Sequence, residues 1–321
     1  MRARPLRVGT RASQLALWQT ERVRAALHAA GHATERIEIT TTGDVILDTP
    51  LAKIGSRALF TKQLDDAMLE DRIDIAVHSL KDLPTTLPDG IALGAVGQRE
   101  DPRDALVGRG PVTFEALPPG ATVATSSLRR RAQLLHRRPD LDVVDIRGNV
   151  DTRLAKLDRN AGWSAIMLAA AGLVRLGFGD RIGERLPFAL MLPAPGQGAL
   201  AATCRPGDAT AEAALRAVLH DDATARAVAA ERGFLHRLEG GCQVPVAAHA
   251  TVQGESLTLL GRVIGLGGDR LAAGERTARA RDVQEAAALG GALAERLLGE
   301  GADAILAEVR AAGAGPVATE S

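Results

Sequence analysis

The first two-thirds of the chain alternates short apolar runs with amphipathic segments, and this alternation limits the possible folds more than any other feature of the sequence. The apolar run Leu6–Thr10 predicts a strand, and apolar residues at helical spacing follow it. Runs at 37–40 and 73–77 predict two more strands, separated by a second helix that contains Leu64 and Met68. A β-α-β-α-β order favours a parallel sheet that is covered by helices on both faces.

The same alternation begins again after the proline- and charge-rich segment 99–103, which we interpret as a crossover between domains. Strands are predicted around Val123, at 143–146 and at 165–168, with a helix after each of the first two. A second segment rich in proline and glycine, 192–198, indicates where the chain returns toward the first α/β unit. The two units are then expected to face each other across a cleft.

The sequence changes character after about Asp222. A helix is predicted from there to His236, ending before the glycine pair at 240–241, and a hairpin and a last helix follow it. The predicted fold class is therefore α/β, with two α/β domains that face a cleft and a small α+β C-terminal domain. We assign residues 1–98 and 197–217 to domain 1, 103–193 to domain 2 and 220–321 to domain 3.

The composition argues against several classes of function. The 39 lysine and arginine residues balance 39 aspartate and glutamate residues, so no bulk charge draws the protein to nucleic acid or to a membrane surface. The longest apolar stretch, 165–174, is about half as long as a membrane span, and residues 1–10 lack the apolar core of a secretory signal. Two cysteines are too few for a disulfide framework. These features predict a cytoplasmic protein with reduced thiols.

The segment after the first strand of the second unit carries hydroxyl groups and then three arginines in the first turn of a helix. Thr125 and Ser127 can cap free backbone N–H groups. Arg129 and Arg130, however, add positive charge to the positive end of the helix dipole. A bound anion would explain this arrangement, because backbone N–H and guanidinium groups can share it. The alternative is a solvated charged turn, and Arg131 taken alone is interpreted as a surface residue.

Four more arginines lie near predicted strand ends or helix starts: Arg11, Arg147, Arg153 and Arg175. A single arginine at such a place is usually a surface residue. Six of them together favour a shared ligand with many carboxylates, because the planar guanidinium group binds carboxylate through paired hydrogen bonds. Ligands bind at the carboxyl ends of the strands in open parallel sheets, which is where the cleft is predicted.

Lys81 and Asp82 directly follow the third predicted strand. A carboxylate that is fixed there can act as a general acid or base or stabilise a neighbouring cation, although it can also simply cap a turn. His78, at the end of the same strand, fits a structural role better than that of a base.

Cys242 lies in the segment 239–245, Glu-Gly-Gly-Cys-Gln-Val-Pro. The glycines and the proline predict a shaped, exposed loop, which suits a nucleophilic thiol. Cys204 is interpreted as a buried apolar residue. The sequence contains no Cys-x-x-Cys or histidine-rich spacing, so no metal site is predicted.

Seven motifs, in the same order along the chain, resemble the porphobilinogen deaminase family. They lie at 8–13, 74–84, 99–104, 125–130, 147–154, 192–199 and 239–245. The resemblance implies a monomer of three domains, the first two similar to the halves of a periplasmic solute-binding protein. It also implies a dipyrromethane cofactor, attached through a thioether to Cys242 in the third domain.

The activity that the resemblance implies is the deamination of four porphobilinogen molecules and their head-to-tail joining on the cofactor, after which water releases hydroxymethylbilane. The implied catalytic residue is Asp82, which would hydrogen-bond pyrrole N–H groups and stabilise developing positive charge. The implied cofactor-binding residues are Cys242, Lys81, Asp82, Thr125, Ser127, Arg129 and Arg130. The residues implied to bind porphobilinogen or the growing chain are Arg11, Ser13, Phe60, Arg147, Arg153 and Arg175.

The chain departs from the usual family pattern next to Phe60. Arg57 and Ala58 stand where the family more often has lysine and glycine, and Gln63 stands where it more often has glutamate. Arg57 keeps the positive charge, whereas Ala58 removes backbone freedom that a covering loop can use. The departure bears on the motion of this loop and on the role of Phe60 as a cover of the cleft.

Two other classes of protein remain as alternatives. A solute-binding receptor would use the same two-domain cleft without chemistry, but the missing signal peptide and the third domain with Cys242 argue against it. A cysteine hydrolase would use His78 as its base, but nothing in the sequence places His78 beside Cys242.

Overall fold

The computed structural model describes residues 4–41, 61–238 and 244–313, and its strands form three separate sheets. The strands of the first sheet are β1 (Leu6–Thr10), β2 (Thr34–Glu38), β3 (Ile75–Ser79), β4 (Ala92–Val96) and β10 (Leu200–Cys204). The helices that cover it are α1 (Gln14–Ala29), α2 (Lys62–Leu69) and α6 (Ala209–Leu219). The strand order is β2-β1-β3-β10-β4, so the strand that is last in sequence lies inside the sheet.

The first sheet is mixed rather than parallel. Strands β1, β2 and β3 run parallel, as predicted, but β10 is antiparallel to both β3 and β4. The difference arises because β10 reaches this sheet from domain 2, after the second crossover, and not through a helix of domain 1. Strand β2 also begins three residues before the predicted run, since its register follows β1, with Leu6 opposite Thr34.

The second sheet repeats this arrangement in the middle of the chain. Its strands are β5 (Asp104–Val107), β6 (Thr122–Ala124), β7 (Asp142–Val144), β8 (Ala165–Ala169) and β9 (Glu184–Arg185). The accompanying helices are α3 (Leu128–Arg137), α4 (Val150–Arg159) and α5 (Ala170–Arg175). Strand β6 is parallel to β7 and β8, whereas β5 is antiparallel to β8 and β9.

The third sheet is antiparallel and belongs to the C-terminal part of the chain. Its strands are β11 (Val246–Gln253), β12 (Ser256–Ile264) and β13 (Leu271–Arg279), and its helices are α7 (Asp222–Arg237), α8 (Val283–Leu297) and α9 (Asp303–Gly313). Phe234, Leu257 and Leu293 are fully buried between this sheet and its helices. Gly290 allows α7 and α8 to touch, because a Cβ there would lie 2.0 Å from the Ala230 carbonyl oxygen.

The two crossovers and the third domain meet at Glu231 of α7, which is fully buried. Arg99 of the first crossover donates to both Glu231 carboxylate oxygens, at 2.6 and 3.0 Å. The N–H of Gly196, in the second crossover, donates to Glu231 at 2.7 Å, and that of Ala250 in β11 at 2.8 Å. One carboxylate therefore ties both crossovers to the third domain.

The second crossover runs against the first at Gly198. This residue has φ +90°, and a Cβ there would lie 2.4 Å from the carbonyl oxygen of Glu100. The predicted fold class, two α/β domains facing a cleft and a small α+β C-terminal domain, is confirmed. The residue numbers that we give to the domain boundaries stay predictions.

Candidate active site

A cleft of about 580 Å³ lies between the first two sheets, and the third domain contributes Leu235, Val244 and Val246 to its lining. The carboxyl ends of β1 and β3 and the starts of α1 and α3 face it, as expected for a ligand site in α/β domains. The predicted residues that line it are Arg11, Ser13, Lys81, Asp82, Ser127, Arg129, Arg130, Arg147, Arg153 and Arg175.

Domain 1 supplies Lys81 and Asp82 through a short turn. Strand β3 ends at Ser79, and a single 3₁₀ turn over Leu80–Asp82 brings both side chains to the cleft. Burial lowers the pKa of Lys81 to about 8, even though the neighbouring Asp82 carboxylate acts in the opposite direction. The lysine is therefore a desolvated cation that gains from a further negative charge in the cleft.

Domain 2 supplies Arg129 and Arg130 from the first turn of α3, where the Ser127 hydroxyl accepts the Arg130 N–H at 3.4 Å. Both arginine side chains are almost fully buried and contact one buried carboxylate, that of Asp104. Arg129 Nη1 lies 2.6 Å from Asp104 Oδ2, and Arg130 Nη2 lies 2.7 Å from Asp104 Oδ1. Burial would raise the pKa of Asp104, but the charges of Arg129 and Arg130 hold it far below its ordinary value.

The anion expected at this helix start is therefore supplied in part by the protein itself. Asp104 has no role in the sequence-based prediction, because it lies in strand β5, 25 residues before Arg129 of helix α3. Ligand carboxylates are therefore not the only anions that pair with Arg129 and Arg130. Two guanidinium groups nevertheless share one carboxylate, so one positive charge is in excess and both arginines still line the cleft.

Thr125 is the predicted site residue that the structure places away from the lining. Its side chain is buried beneath the turn, where its hydroxyl accepts the Ser127 N–H at 3.2 Å. Ser126 lines the cleft instead, and its hydroxyl donates to the Ile146 carbonyl oxygen at 2.8 Å. Thr125 therefore shapes the turn that carries Ser127, and its predicted contact with a cofactor stays a prediction.

Two other arginines of the cleft, Arg153 and Arg175, are held by backbone carbonyl groups. Arg153 Nε donates to the Gly148 oxygen at 2.7 Å, and Arg175 Nη2 donates to the Gly198 oxygen at 2.6 Å. Burial, together with the charges of Arg130 and Arg147, lowers the pKa of Arg153 to about 10. Such mutually repelling, desolvated cations are favourable only if anions can join them.

A smaller cavity of about 50 Å³ shares Arg11, Ser13 and Asp82 with the cleft and is also lined by His78. The His78 ring lies 3.2 Å from the Thr203 hydroxyl, across the pair β3–β10. Burial, with a smaller contribution from Arg11, lowers the pKa of His78 to about 4, so it is neutral at pH 7. This agrees with a structural role for His78.

Cys242 and Phe60 lie outside the described residues, as do Arg57 and Ala58. Val244, the first described residue after Cys242, lines the cleft. Within the described ranges no group of three or more His, Cys, Asp or Glu side chains is arranged to hold a metal ion. None of the helices in those ranges combines the length and the apolar character needed to cross a bilayer.

Family models and related sequences match nearly the whole chain. The family model "Porphobilinogen deaminase, dipyromethane cofactor binding domain" matches residues 6–213, and the model of the porphobilinogen deaminase C-terminal domain matches 225–299. The porphobilinogen deaminase of Geobacter metallireducens is 53% identical over 312 residues, which are 96% of this chain and 96% of that protein. That of Syntrophotalea carbinolica is 53% identical over 310 residues, again 96% of each. Among solved structures, the methionine-binding protein MetQ aligns with a TM-score of 0.41 and 12% identity, over 66% of this chain and 89% of that one.

Proposed function

Because the chain belongs to the porphobilinogen deaminase family, we propose that it deaminates four porphobilinogen molecules and joins them head to tail on a dipyrromethane cofactor. Water then releases hydroxymethylbilane, a linear tetrapyrrole of haem biosynthesis, and one ammonia is lost for each porphobilinogen that is added. The enzyme is thus a transferase whose substrates carry carboxylates on every ring.

The observation that supports this function best is the charge of the cleft. Seven cationic side chains line it against two carboxylates, those of Asp82 and Asp151, among the described residues. The cations come from both domains, so a ligand with carboxylates on several rings can bridge the two walls. Guanidinium groups bind carboxylate through two parallel hydrogen bonds, which orients each ring as well as holding it.

The residues present fit a cofactor of two acidic pyrroles. Lys81 and the start of α3 lie on opposite walls, and burial lowers the pKa of both Lys81 and Arg130. The acetate and propionate groups of the cofactor would bring negative charge next to these buried cations. Lys81, Ser127, Arg129 and Arg130 would hold those groups. When bound, the cofactor supplies the pyrrole carbon to which the first substrate is joined.

Asp82 is the residue that would act on the reacting ring. Its carboxylate lines both the cleft and the smaller cavity, so a pyrrole ring between them can donate its N–H to Asp82. Positive charge develops on that ring as the bond between its aminomethyl carbon and the ammonia nitrogen breaks. A carboxylate beside the ring stabilises that charge, and this lowers the barrier.

The finer parts of the proposal concern Cys242 and the state of the protein. We assign the thioether link to the Cys242 sulfur, which is supported by the position of Val244 in the cleft lining. Arg11, Ser13, Arg147, Arg153 and Arg175 would bind the incoming substrate and the growing chain, with Phe60 as a cover. A cytoplasmic monomer is proposed from the family resemblance.

The first test is the intact mass of the purified protein, followed by peptide mapping around Cys242. Added mass equal to one dipyrromethane on this residue supports the proposal. If Cys242 is unmodified, the protein is incubated with porphobilinogen and measured again. A thiol that stays bare after this treatment contradicts the proposal and favours a binding protein without chemistry.

The second test distinguishes a catalytic role of the Asp82 carboxylate from a general effect of negative charge in the cleft. Asp82→Asn should reduce turnover about 10²- to 10⁴-fold, the range expected for a lost catalytic carboxylate, while the cofactor stays attached. Asp151→Asn is the matched control, because Asp151 also lines the cleft but lies in the first turn of helix α4. Wild-type turnover by Asp82→Asn, or an equal loss in both variants, would refute the role of Asp82.

A further inference from the structure

Asp104 contacts two of the cationic side chains that line the cleft, Arg129 and Arg130, although the proposed reaction gives it no role. Its carboxylate is fully buried and accepts from Arg129 Nη1 at 2.6 Å and from Arg130 Nε at 2.9 Å. The same two arginines also donate to backbone oxygens, at Leu192 (2.7 Å) and Met167 (2.9 Å). Both guanidinium groups are therefore fixed on the protein side before any ligand is present.

Gln197 extends this arrangement to the opposite wall of the cleft. Its Nε2 donates to Asp104 Oδ1 at 2.9 Å and to the Pro102 carbonyl oxygen at 2.8 Å. Its Oε1 then faces Lys81, whose Nζ lies 3.4 Å away. The buried Gln197 carboxamide thus connects Lys81 of domain 1 with Asp104, the carboxylate that holds the two arginines of domain 2.

Adjacent guanidinium groups in a buried site repel each other unless an anion is placed between them. In the loaded enzyme, carboxylates of the ligand share that task. In the empty enzyme Asp104 is the carboxylate that contacts both arginines, so its contribution is greatest when no ligand is bound.

We propose that Asp104 is a positioning residue of the cofactor site, which holds Arg129 and Arg130 in binding geometry in the empty cleft and, through Gln197, aligns them with Lys81. The inference rests on the proposed function, because it takes the ligand to be a carboxylate-rich cofactor. Asp104 does not react; it acts through the arginines that do the binding.

The chain offers a control of the same chemistry in another place. Asp74 is also a fully buried carboxylate and accepts from three arginines, with Arg4 Nη1 at 2.8 Å, Arg7 Nη2 at 3.0 Å and Arg205 Nη2 at 2.8 Å. It lies just before β3, at the end of the strand opposite to Lys81. Its arginines do not line the cleft, so loss of its charge tests stability alone.

The experiment compares Asp104→Asn with Asp74→Asn, each in a loaded form and in an empty form made with Cys242→Ser. Thermal unfolding gives Tm for all of them, and intact mass gives the rate at which the Cys242 proteins, freed of cofactor, load with porphobilinogen. Asp104→Asn should lower Tm by several degrees more in the empty than in the loaded protein, and its loading should slow about tenfold. Asp74→Asn should lower both Tm values equally and load at the wild-type rate.

Two results overturn the inference. One is an equal loss of Tm in empty and loaded Asp104→Asn, and the other is loading of this variant at the wild-type rate. If Asp104→Asn does not fold, Gln197→Leu is used, because it keeps the arginine contacts of Asp104 but removes the hydrogen bonds of Gln197 to Asp104, to Pro102 and to Lys81, and with them the link between the two walls. Unchanged loading of that variant also overturns the inference. A wild-type protein that never loads contradicts the proposed function itself, so the two failures are distinguishable.

Discussion

Replacing Glu231 by glutamine removes a buried negative charge from the point where both crossovers meet the third domain. Glu231 is 0% exposed and the Arg99 side chain 11%, so the ion pair is almost fully desolvated. Burial would raise the pKa of Glu231, but Arg99 and His249 hold it below its ordinary value, and the carboxylate is therefore charged at neutral pH. The substitution leaves Arg99 buried without its counter-ion.

The expected cost follows from these contacts. Removing one partner of a buried ion pair costs about 3 to 5 kcal/mol. If the backbone N–H of Gly196 or Ala250 loses its acceptor, the loss of stability grows by about 1 to 3 kcal/mol, although glutamine keeps one oxygen that can accept such a bond. We therefore expect Glu231→Gln to lower the free energy of unfolding by about 4 kcal/mol, a large part of the roughly 5 to 15 kcal/mol typical of a folded protein.

Urea unfolding at pH 7 measures this cost, with Glu295→Gln as the control. Glu295 pairs with Arg237 on the surface, where the two side chains are 55% and 46% exposed, so that loss should stay below about 1 kcal/mol. The double variant Arg99→Met/Glu231→Gln should be more stable than the sum of the single changes predicts, by about 1 to 3 kcal/mol. A Glu231→Gln cost no larger than that of the control, or strictly additive effects, would contradict the reasoning.

Three further predictions follow from buried groups. Since burial lowers the pKa of Lys81 to about 8, cofactor loading should slow as the pH rises through 8. Lys81→Arg keeps its charge, so it should flatten the pH profile of loading measured by intact mass. An equally steep profile in the variant contradicts the prediction. The pKa of His78 is about 4 in the folded state and 6.5 in the unfolded state, so the unfolded state binds more protons between these two pH values. The free energy of unfolding therefore falls as the pH drops from 6.5 toward 4, by up to about 3 kcal/mol. His78→Gln should remove that part of the acid sensitivity, as seen in Tm against pH. Burial raises the pKa of the Cys204 thiol to about 11, so iodoacetamide at pH 8 should modify it only after denaturation, which peptide mapping can check.

The elements that sequence analysis predicted best are those with a local signal. Strand β1 has the predicted bounds, and α7 ends within one residue of the predicted position, because apolar spacing and polar ends are both visible in the sequence. The place of β10 was not predictable in this way. Its pairing with β3, Ala201 opposite His78, joins segments far apart in the sequence, and the apolar pattern carries no information about direction.

The residues of the candidate site show the same difference between a local sequence signal and a contact that forms only on folding. Lys81, Asp82 and most of the arginines follow strand ends, and Arg153 and Arg175 lie in the helices that come next, so position in the chain was enough to bring them to one cleft. Asp104 and Gln197 were missed because their function lies in contacts with residues of other elements. A buried aspartate at the start of a strand looks the same in sequence whether it caps a turn or neutralises two arginines, and only the packed structure distinguishes the two.

The antiparallel strand β10 also decides the order in which a growing chain can complete its domains during synthesis. Strands β1 to β4 are made first, but β10, which lies between β3 and β4, is made about 100 residues after β4. The five strands of the second sheet are contiguous in sequence, so that domain can fold while the first still exposes unpaired edges on β3 and β4. A chain that stops short of residue 200 would keep those edges open to association with other chains. The wall that carries Asp82 is thus closed only after the wall that carries the arginines has been made.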